Sequence, residues 1–217
     1  MKVSISKEIK KALCLVLVLL AVISLSSCAS STTVTNASMT TYLNSHGRSF
    51  KLSSVTTPKG STVQTCTYSQ ALTKEEKAEI NRYWSDIISK MKWDVVKKGE
   101  PATYNCHSYA WYSQSSTNKH WINQYRLDPS TGGITTQANL SKYWTDGSYS
   151  LIVRKTNLSI PSNVPNGSVV FYKYGDHSAI KYSASQFLSK WGFAGVYQHS
   201  PGCAPYSTST LEYYKKT

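Results

Sequence analysis

The sequence predicts an α+β domain with an antiparallel sheet. Three observations carry this. One stretch has helical periodicity behind a complete N-terminal cap. The C-terminal part is a series of short β-prone runs cut by turn clusters. Helix-like sequence comes before strand-like sequence and does not alternate with it. The helix is expected from about Lys74 to Lys92, because Thr73-Lys74-Glu75-Glu76 reads as a capping box with Thr73 at the N-cap. Ile80, Trp84, Ile87, Ile88 and Met91 fall on one face, and Gly99 and Pro101 close the region. Asn105 is a good N-cap for a second helix, which puts Cys106 in its first turn. From Gln114 to Gly147 the chain is polar and aromatic, with turn signals at Asp128-Pro129 and Gly132-Gly133, and is expected to form loops with short helical pieces. Strands are expected at Leu151-Ile152-Val153, Val169-Val170-Phe171-Tyr172, Ala179-Ile180-Lys181-Tyr182 and Gly195-Val196-Tyr197. Pro161-Ser162-Asn163 and Pro165-Asn166-Gly167 supply turns between them. There is no internal repeat.

The 217 residues suffice for one domain with a sizeable core. The first 27 residues are not read as fold material. Lys2, Lys7, Lys10 and Lys11 precede an uncharged apolar run from Ala12 to Leu25, the layout of a secretory signal. That run is shorter than the roughly 18 residues a spanning helix needs. Leu25-Ser26-Ser27-Cys28 resembles the lipobox of bacterial lipoproteins, which implies that Cys28 is the lipidated first residue of the mature chain; cleavage near Ala29 is the alternative. Residues 28–41 are Ser/Thr-rich and read as a tether. The domain is expected over 42–217. Without the signal's four Lys and Glu8, the chain keeps 20 basic and 10 acidic residues, a net charge of +10. Outside a bacterial cell such charge favours anionic wall polymers or lipid headgroups. No nucleic-acid recognition motif and no dense Lys/Arg block is present, so no specific nucleic-acid partner is expected.

Cys14 lies in the signal and Cys28 is the lipid candidate, which leaves Cys66, Cys106 and Cys203. Three cysteines in an exported domain suggest one disulfide and one free thiol. Cys66 and Cys203 lie near opposite ends of the domain in polar, loop-like surroundings and are the expected pair. Cys106 is then the free thiol, either a nucleophile or a small buried apolar residue. A helix N-terminus and a nearby imidazole both favour the thiolate. Of His46, His107, His120, His177 and His199, the best placed is His177, which follows the turn Gly175-Asp176 and begins a strand-like run. His107 is adjacent to Cys106, so its side chain points elsewhere on a helix.

Three segments in this order resemble the papain-like cysteine peptidases. Tyr104-Asn105-Cys106-His107-Ser108-Tyr109-Ala110-Trp111 is similar to their nucleophile helix, Asp176-His177-Ser178-Ala179 to their histidine strand, and Ser189-Lys190-Trp191-Gly192 to their Asn-Ser-Trp-Gly segment. Pro165 to Tyr172 is similar to the approach strand of the compact bacterial members, the NlpC-type and CHAP amidases. The resemblance spans roughly Thr103 to Tyr206. It implies a papain-like fold, with a helical N-terminal part whose nucleophile helix packs on a C-terminal antiparallel sheet. It implies Cys106 as nucleophile, His177 as base and Ser189 as orienter of His177, with Trp191 shielding that bond. It implies hydrolysis of amide bonds in peptides or peptidoglycan. No cofactor and a monomer are expected, and His177, His199 and Cys203 lack the ligand spacing typical of zinc, so no metal is expected. The sequence departs from the family at Ser189, where asparagine is usual, at Ser168, and at Glu100, where a glutamine donates to the oxyanion. The competing expectations are a catalytically silent basic module of the same fold that holds wall polymer, and a secreted peptidase acting on proteins.

Overall fold

The structure, a computed structural model, describes residues 49–217. The signal, Cys28, the tether and the expected domain start at Tyr42 lie outside the described residues. Two stretches rich in Thr, Ser and Val form the first hairpin. Strands β1 (Phe50–Thr56) and β2 (Thr62–Tyr68) pair antiparallel, with Phe50 opposite Tyr68 and Thr56 opposite Thr62. Gly60 turns the chain between them at φ 89°, a left-handed conformation that favours glycine. Helix α1 (Lys74–Met91) begins where the capping box predicts. Thr73 Oγ1 accepts the Glu76 N–H at 3.2 Å, and Glu76 Oε2 accepts the Thr73 N–H at 2.8 Å. Its face turns Ile80 and Trp84 onto Trp191, Ala194 and Tyr197.

Beyond α1 come β3 (Val95–Lys97), a π-helical turn (Ser108–Tyr112), β4 (His120–Ile122), β5 (Tyr125–Leu127), β6 (Ile134–Ala138) and the short α2 (Lys142–Thr145). Then follow β7 (Tyr149–Lys155), β8 (Val169–Lys173), β9 (His177–Lys181), β10 (Phe187–Lys190), β11 (Val196–His199) and β12 (Thr210–Lys216). Seven strands make the main sheet in the order β3-β11-β10-β9-β8-β12-β7. Every adjacent pair in it is antiparallel. Strands β8 to β11 are a meander, and β12 inserts between β7 and β8. Strand β4 joins β2, while β5 and β6 pair apart.

The period-2 alternation of strand side chains divides the core. Val169, Phe171, Ile180 and Tyr214 lie on one face with Tyr104, Tyr109, Ala110 and Trp111 of the helical segment. Val170, Tyr172, Ala179 and Tyr213 lie on the other with Val164, Phe187 and Leu211. The α+β class and the antiparallel sheet match the expectation.

The order of elements does not match it. A hairpin precedes α1, and 114–147 holds three strands where loops and helical pieces were expected. Two of those strands have only three residues, too short to show alternation. The expected helical N-terminal part reduces to α1 and the turn after Asn105. The expected Cys66–Cys203 disulfide is also corrected, since both are free thiols. Cys66 is no loop residue. It lies on β2, buried with Trp121 and Leu127, and burial pushes its thiol up to about 12. Cys203 lies in the loop between β11 and β12.

Candidate active site around Cys106 and His177

The site begins with Asn105, whose buried side chain does two things. Its Oδ1 accepts the Ser108 N–H at 3.1 Å, which is an N-cap. The same side chain also bonds the Ile122 N–H (3.1 Å) and donates from Nδ2 to the Ile122 carbonyl (2.7 Å), stitching the helix start to β4. Cys106 therefore stands in the first turn, as expected. The helix is short because the chain widens at once into the π-turn, with Ser113 N–H bonded to the Ser108 carbonyl at 2.9 Å.

The Cys106 thiol is 4% exposed. The backbone N–H groups of Ser178 and His107 both favour its thiolate. Strands β9 and β10 pair at Lys181–Phe187 and Ile180–Leu188 and then separate. Continued, the ladder would set Lys190 opposite Ser178; its end there leaves that edge of β9 unpaired. Burial pushes the thiol up to about 12, and the Asp176 carboxylate adds to this; the two N–H groups and Lys190 pull the other way. The resting thiol is protonated.

His177 begins β9 as expected. It is fully buried, stacked on Tyr206 with ring centres 3.8 Å apart and planes 8° apart, and edge-on to Tyr172 at 4.9 Å. Neither ring nitrogen makes a hydrogen bond. No bond therefore joins it to Cys106. Burial first, then His199 and His107, hold the imidazole well below its ordinary range, so it is neutral.

Two parallel relays occupy the imidazoles on either side. In one, Trp111 Nε1–H donates to Ser178 Oγ at 2.9 Å, and Ser178 Oγ lies 2.8 Å from His107 Nδ1. His107 Nε2 lies 3.0 Å from Asp176 Oδ1, which also accepts from Gln124 at 2.8 Å. One assignment satisfies every atom: Ser178 O–H donates to Nδ1, and Nε2–H donates to the carboxylate. Desolvation acts against the Asp176 carboxylate, but the bonds from His107 and Gln124 outweigh it and hold its pKa below the usual carboxylate range. In the other relay, Trp191 Nε1–H donates to Ser189 Oγ at 2.9 Å, and Ser189 Oγ lies 2.7 Å from His199 Nε2. His199 Nδ1 lies 2.8 Å from the Ser200 carbonyl. Here Nδ1–H donates to the carbonyl and Ser189 O–H to Nε2.

The second relay corrects the expected role of Ser189, which bonds His199 and not His177. Strands β10 and β11 stay paired along all four residues, with Ser189 opposite Tyr197 and Phe187 opposite His199. His199 is then the same-face diagonal neighbour of Ser189. His177 would hold the mirror position on β9, but that ladder has already opened. Trp191 accordingly serves Ser189 and lies edge-on to His199 at 5.8 Å. Glu100 is exposed and bonded to Lys97 and Asn81.

Three features of the site were not foreseen. Lys190 is fully buried, and its Nζ donates to the carbonyls of Ala102 (3.1 Å), Gly192 (2.7 Å) and Ala194, 4.7 Å from the centre of the Tyr104 ring. Burial draws its pKa well below the ordinary value, while Cys106 opposes the shift. Tyr206 covers His177. Asp176, at φ 43° in the tight turn after Tyr174, anchors His107. Lys190 lay in plain view in the Ser-Lys-Trp-Gly segment, but a lysine does not advertise burial; Tyr206 follows a Pro in a loop and gives no signal. Among the described residues no three His, Cys, Asp or Glu side chains converge as a metal site requires. No protein-family model, curated protein or solved structure matches the chain.

Proposed function

We propose that this protein is an exported cysteine hydrolase of papain-like kind that cleaves amide bonds at a bacterial cell surface, with peptidoglycan stem peptides as substrate class. The observation that carries this reading is the Ser178 hydroxyl, bonded to both His107 and Trp111, which brings the capped first turn that holds Cys106 against the strand that His177 begins. Burial pushes the thiol up to about 12, so it is protonated at pH 7. No standing thiolate–imidazolium pair exists in this state, so proton transfer accompanies attack. His177 takes the thiol proton as sulfur bonds the carbonyl carbon, and it returns that proton to the departing amine. Water then cleaves the thioester, releasing the acid and restoring the thiol. His177 suits the base role because its nitrogens are uncommitted, whereas those of His107 and His199 are bonded.

The test is release of soluble peptides from purified peptidoglycan, with casein as the protein alternative. Cys106→Ala and His177→Ala should each abolish release to the same degree, because members of a catalytic unit are not additive. Activity surviving either change refutes the pair, and casein cleavage without wall cleavage assigns a protein substrate. The buried, protonated thiol favours a second reading, a silent module that uses its basic surface to hold anionic wall polymer. In that case Cys106→Ala leaves polymer retention intact and no substrate is cut. We place the protein on the outer membrane-facing surface through lipid on Cys28; a mature N-terminus sequenced downstream of Cys28 refutes that anchor.

A further inference from the structure

One loop lays an aromatic ring on His177. The connection between β11 and β12 runs through Ser200-Pro201-Gly202-Cys203-Ala204-Pro205-Tyr206-Ser207-Thr208-Ser209. Its backbone has little holding it between Ser200 and Thr208. The Cys203 N–H closes a turn on the Ser200 carbonyl at 2.9 Å, and the other attachments are side-chain packing. Ala204 and Tyr206 pack beside Trp191, and Tyr206 also packs on the cluster that holds Tyr172. The ring of Tyr206 lies flat on His177 at 3.8 Å. Its hydroxyl lies near Gly192, 3.9 Å from where a Cβ there would stand. The far end of the loop is anchored. Thr208 Oγ1 donates to the Lys173 carbonyl, and Ser207 crosses Gly175 so closely that a Cβ there would meet the Ser207 oxygen at 2.6 Å.

A segment with few backbone bonds, fixed at both ends and held mainly by one aromatic ring, is the kind of element that opens locally without global unfolding. We infer that the β11–β12 loop is a lid, and that Tyr206 is the latch which seals Cys106 and His177 until substrate displaces it. This deepens the hydrolase reading and rests on it for its chemical meaning. The perturbed groups share a cause that fits the closed lid. The Cys106 thiol is raised, and His177 and Lys190 are lowered, each by burial before anything else. Opening admits water to His177 and the thiol and returns the thiol toward a reactive range.

The experiment is iodoacetamide labelling of the full-length chain at pH 8, with rates read separately for the Cys106 and Cys66 peptides by mass spectrometry. Cys66 is buried in a different cluster and reports general unfolding. Tyr206→Ala should raise the Cys106 rate by about tenfold or more and leave Cys66 unchanged. Tyr206→Phe keeps the stack and should fall between Tyr206→Ala and the natural chain. An unchanged Cys106 rate in Tyr206→Ala overturns the lid. Should Tyr206→Ala expose Cys66 as well, Tyr206→Leu decides: selective labelling of Cys106 upholds the lid, and equal labelling of both thiols overturns it. Hydrolysis is scored on the same samples. Fast Cys106 labelling with no hydrolysis keeps the lid and removes the hydrolase; hydrolysis with unchanged labelling does the reverse.

Discussion

Replacing His199 by glutamine should make the domain resist mild acid better than the natural chain. Burial holds the His199 imidazole down at about 4, against an unperturbed value near 6.5. Between these values the unfolded chain binds a proton that the folded one refuses. Stability therefore rises with pH across this window and is lost as pH falls from about 6.5 toward 4. Integrating the linkage from pH 7 to pH 5 gives a loss of about 2 kcal/mol from this side chain alone. His177 is shifted in the same direction for the same reason and adds to the loss. The depressed carboxylates Asp176 and Glu212 act lower, where their contribution disappears as pH falls below about 4. In His199→Gln the amide can still accept from Ser189 and donate to the Ser200 carbonyl, so its stability at pH 7 should lie within about 1 kcal/mol of the natural chain. Urea titrations at pH 7 and pH 5 decide the matter. The natural chain should lose about 2 kcal/mol more than His199→Gln between them. Equal losses would mean that His199 is charged in the folded protein, and the proton assignment of the Trp191–Ser189–His199 relay would fall with it.

Two further substitutions test the scaffold beneath the thiol. Asn105→Ala removes a helix cap and leaves the Ile122 N–H and carbonyl unpaired, which should cost about 2–4 kcal/mol. Asn105→Asp keeps the cap acceptor and should recover part of that, and a urea midpoint unmoved by either change refutes the stitching role. Lys190→Met leaves three carbonyls, one buried and two half-buried, without their donor and should destabilise by about 2–5 kcal/mol; a variant as stable as the natural chain would show that the buried ammonium is dispensable.

What the sequence made legible follows the strength of local signals. Helix α1 was readable to within a residue because Thr73 and Glu76 form a reciprocal cap and the apolar face repeats behind it. Strand β8 was readable because consecutive apolar residues are buried on both faces of the sheet, and β9 because Ala179-Ile180 follows the turn Gly175-Asp176. Strand β10 was not, because Phe187-Leu188-Ser189-Lys190 hides two polar residues in the core. Strand β12 carries Glu212, buried against Arg154 and Lys173 from two neighbouring strands, and a charge of that kind reads as surface. In the site, the first-turn cysteine and the strand-start histidine were visible as types at positions. The partner of Ser189 was not, because in register it stands midway between His177 and His199. Only the separation of β9 from β10 decides between them, and a break in one ladder leaves no mark in sequence.

The placement of β12 bears on how the chain reaches its native state. Strands β7 and β8 are successive in sequence yet never touch as ladder partners; each pairs with β12, the last of the described strands. Until that strand arrives, the sheet is in two pieces and neither apolar face is continuous. Assembly therefore waits on pairings between distant segments, which places the domain among slow folders, in the millisecond-to-second range. The same arrangement concentrates vulnerability, because a competing strand or a protease that draws β12 out bares two sheet edges at once and separates β7 from the strand that carries His177 and its neighbours.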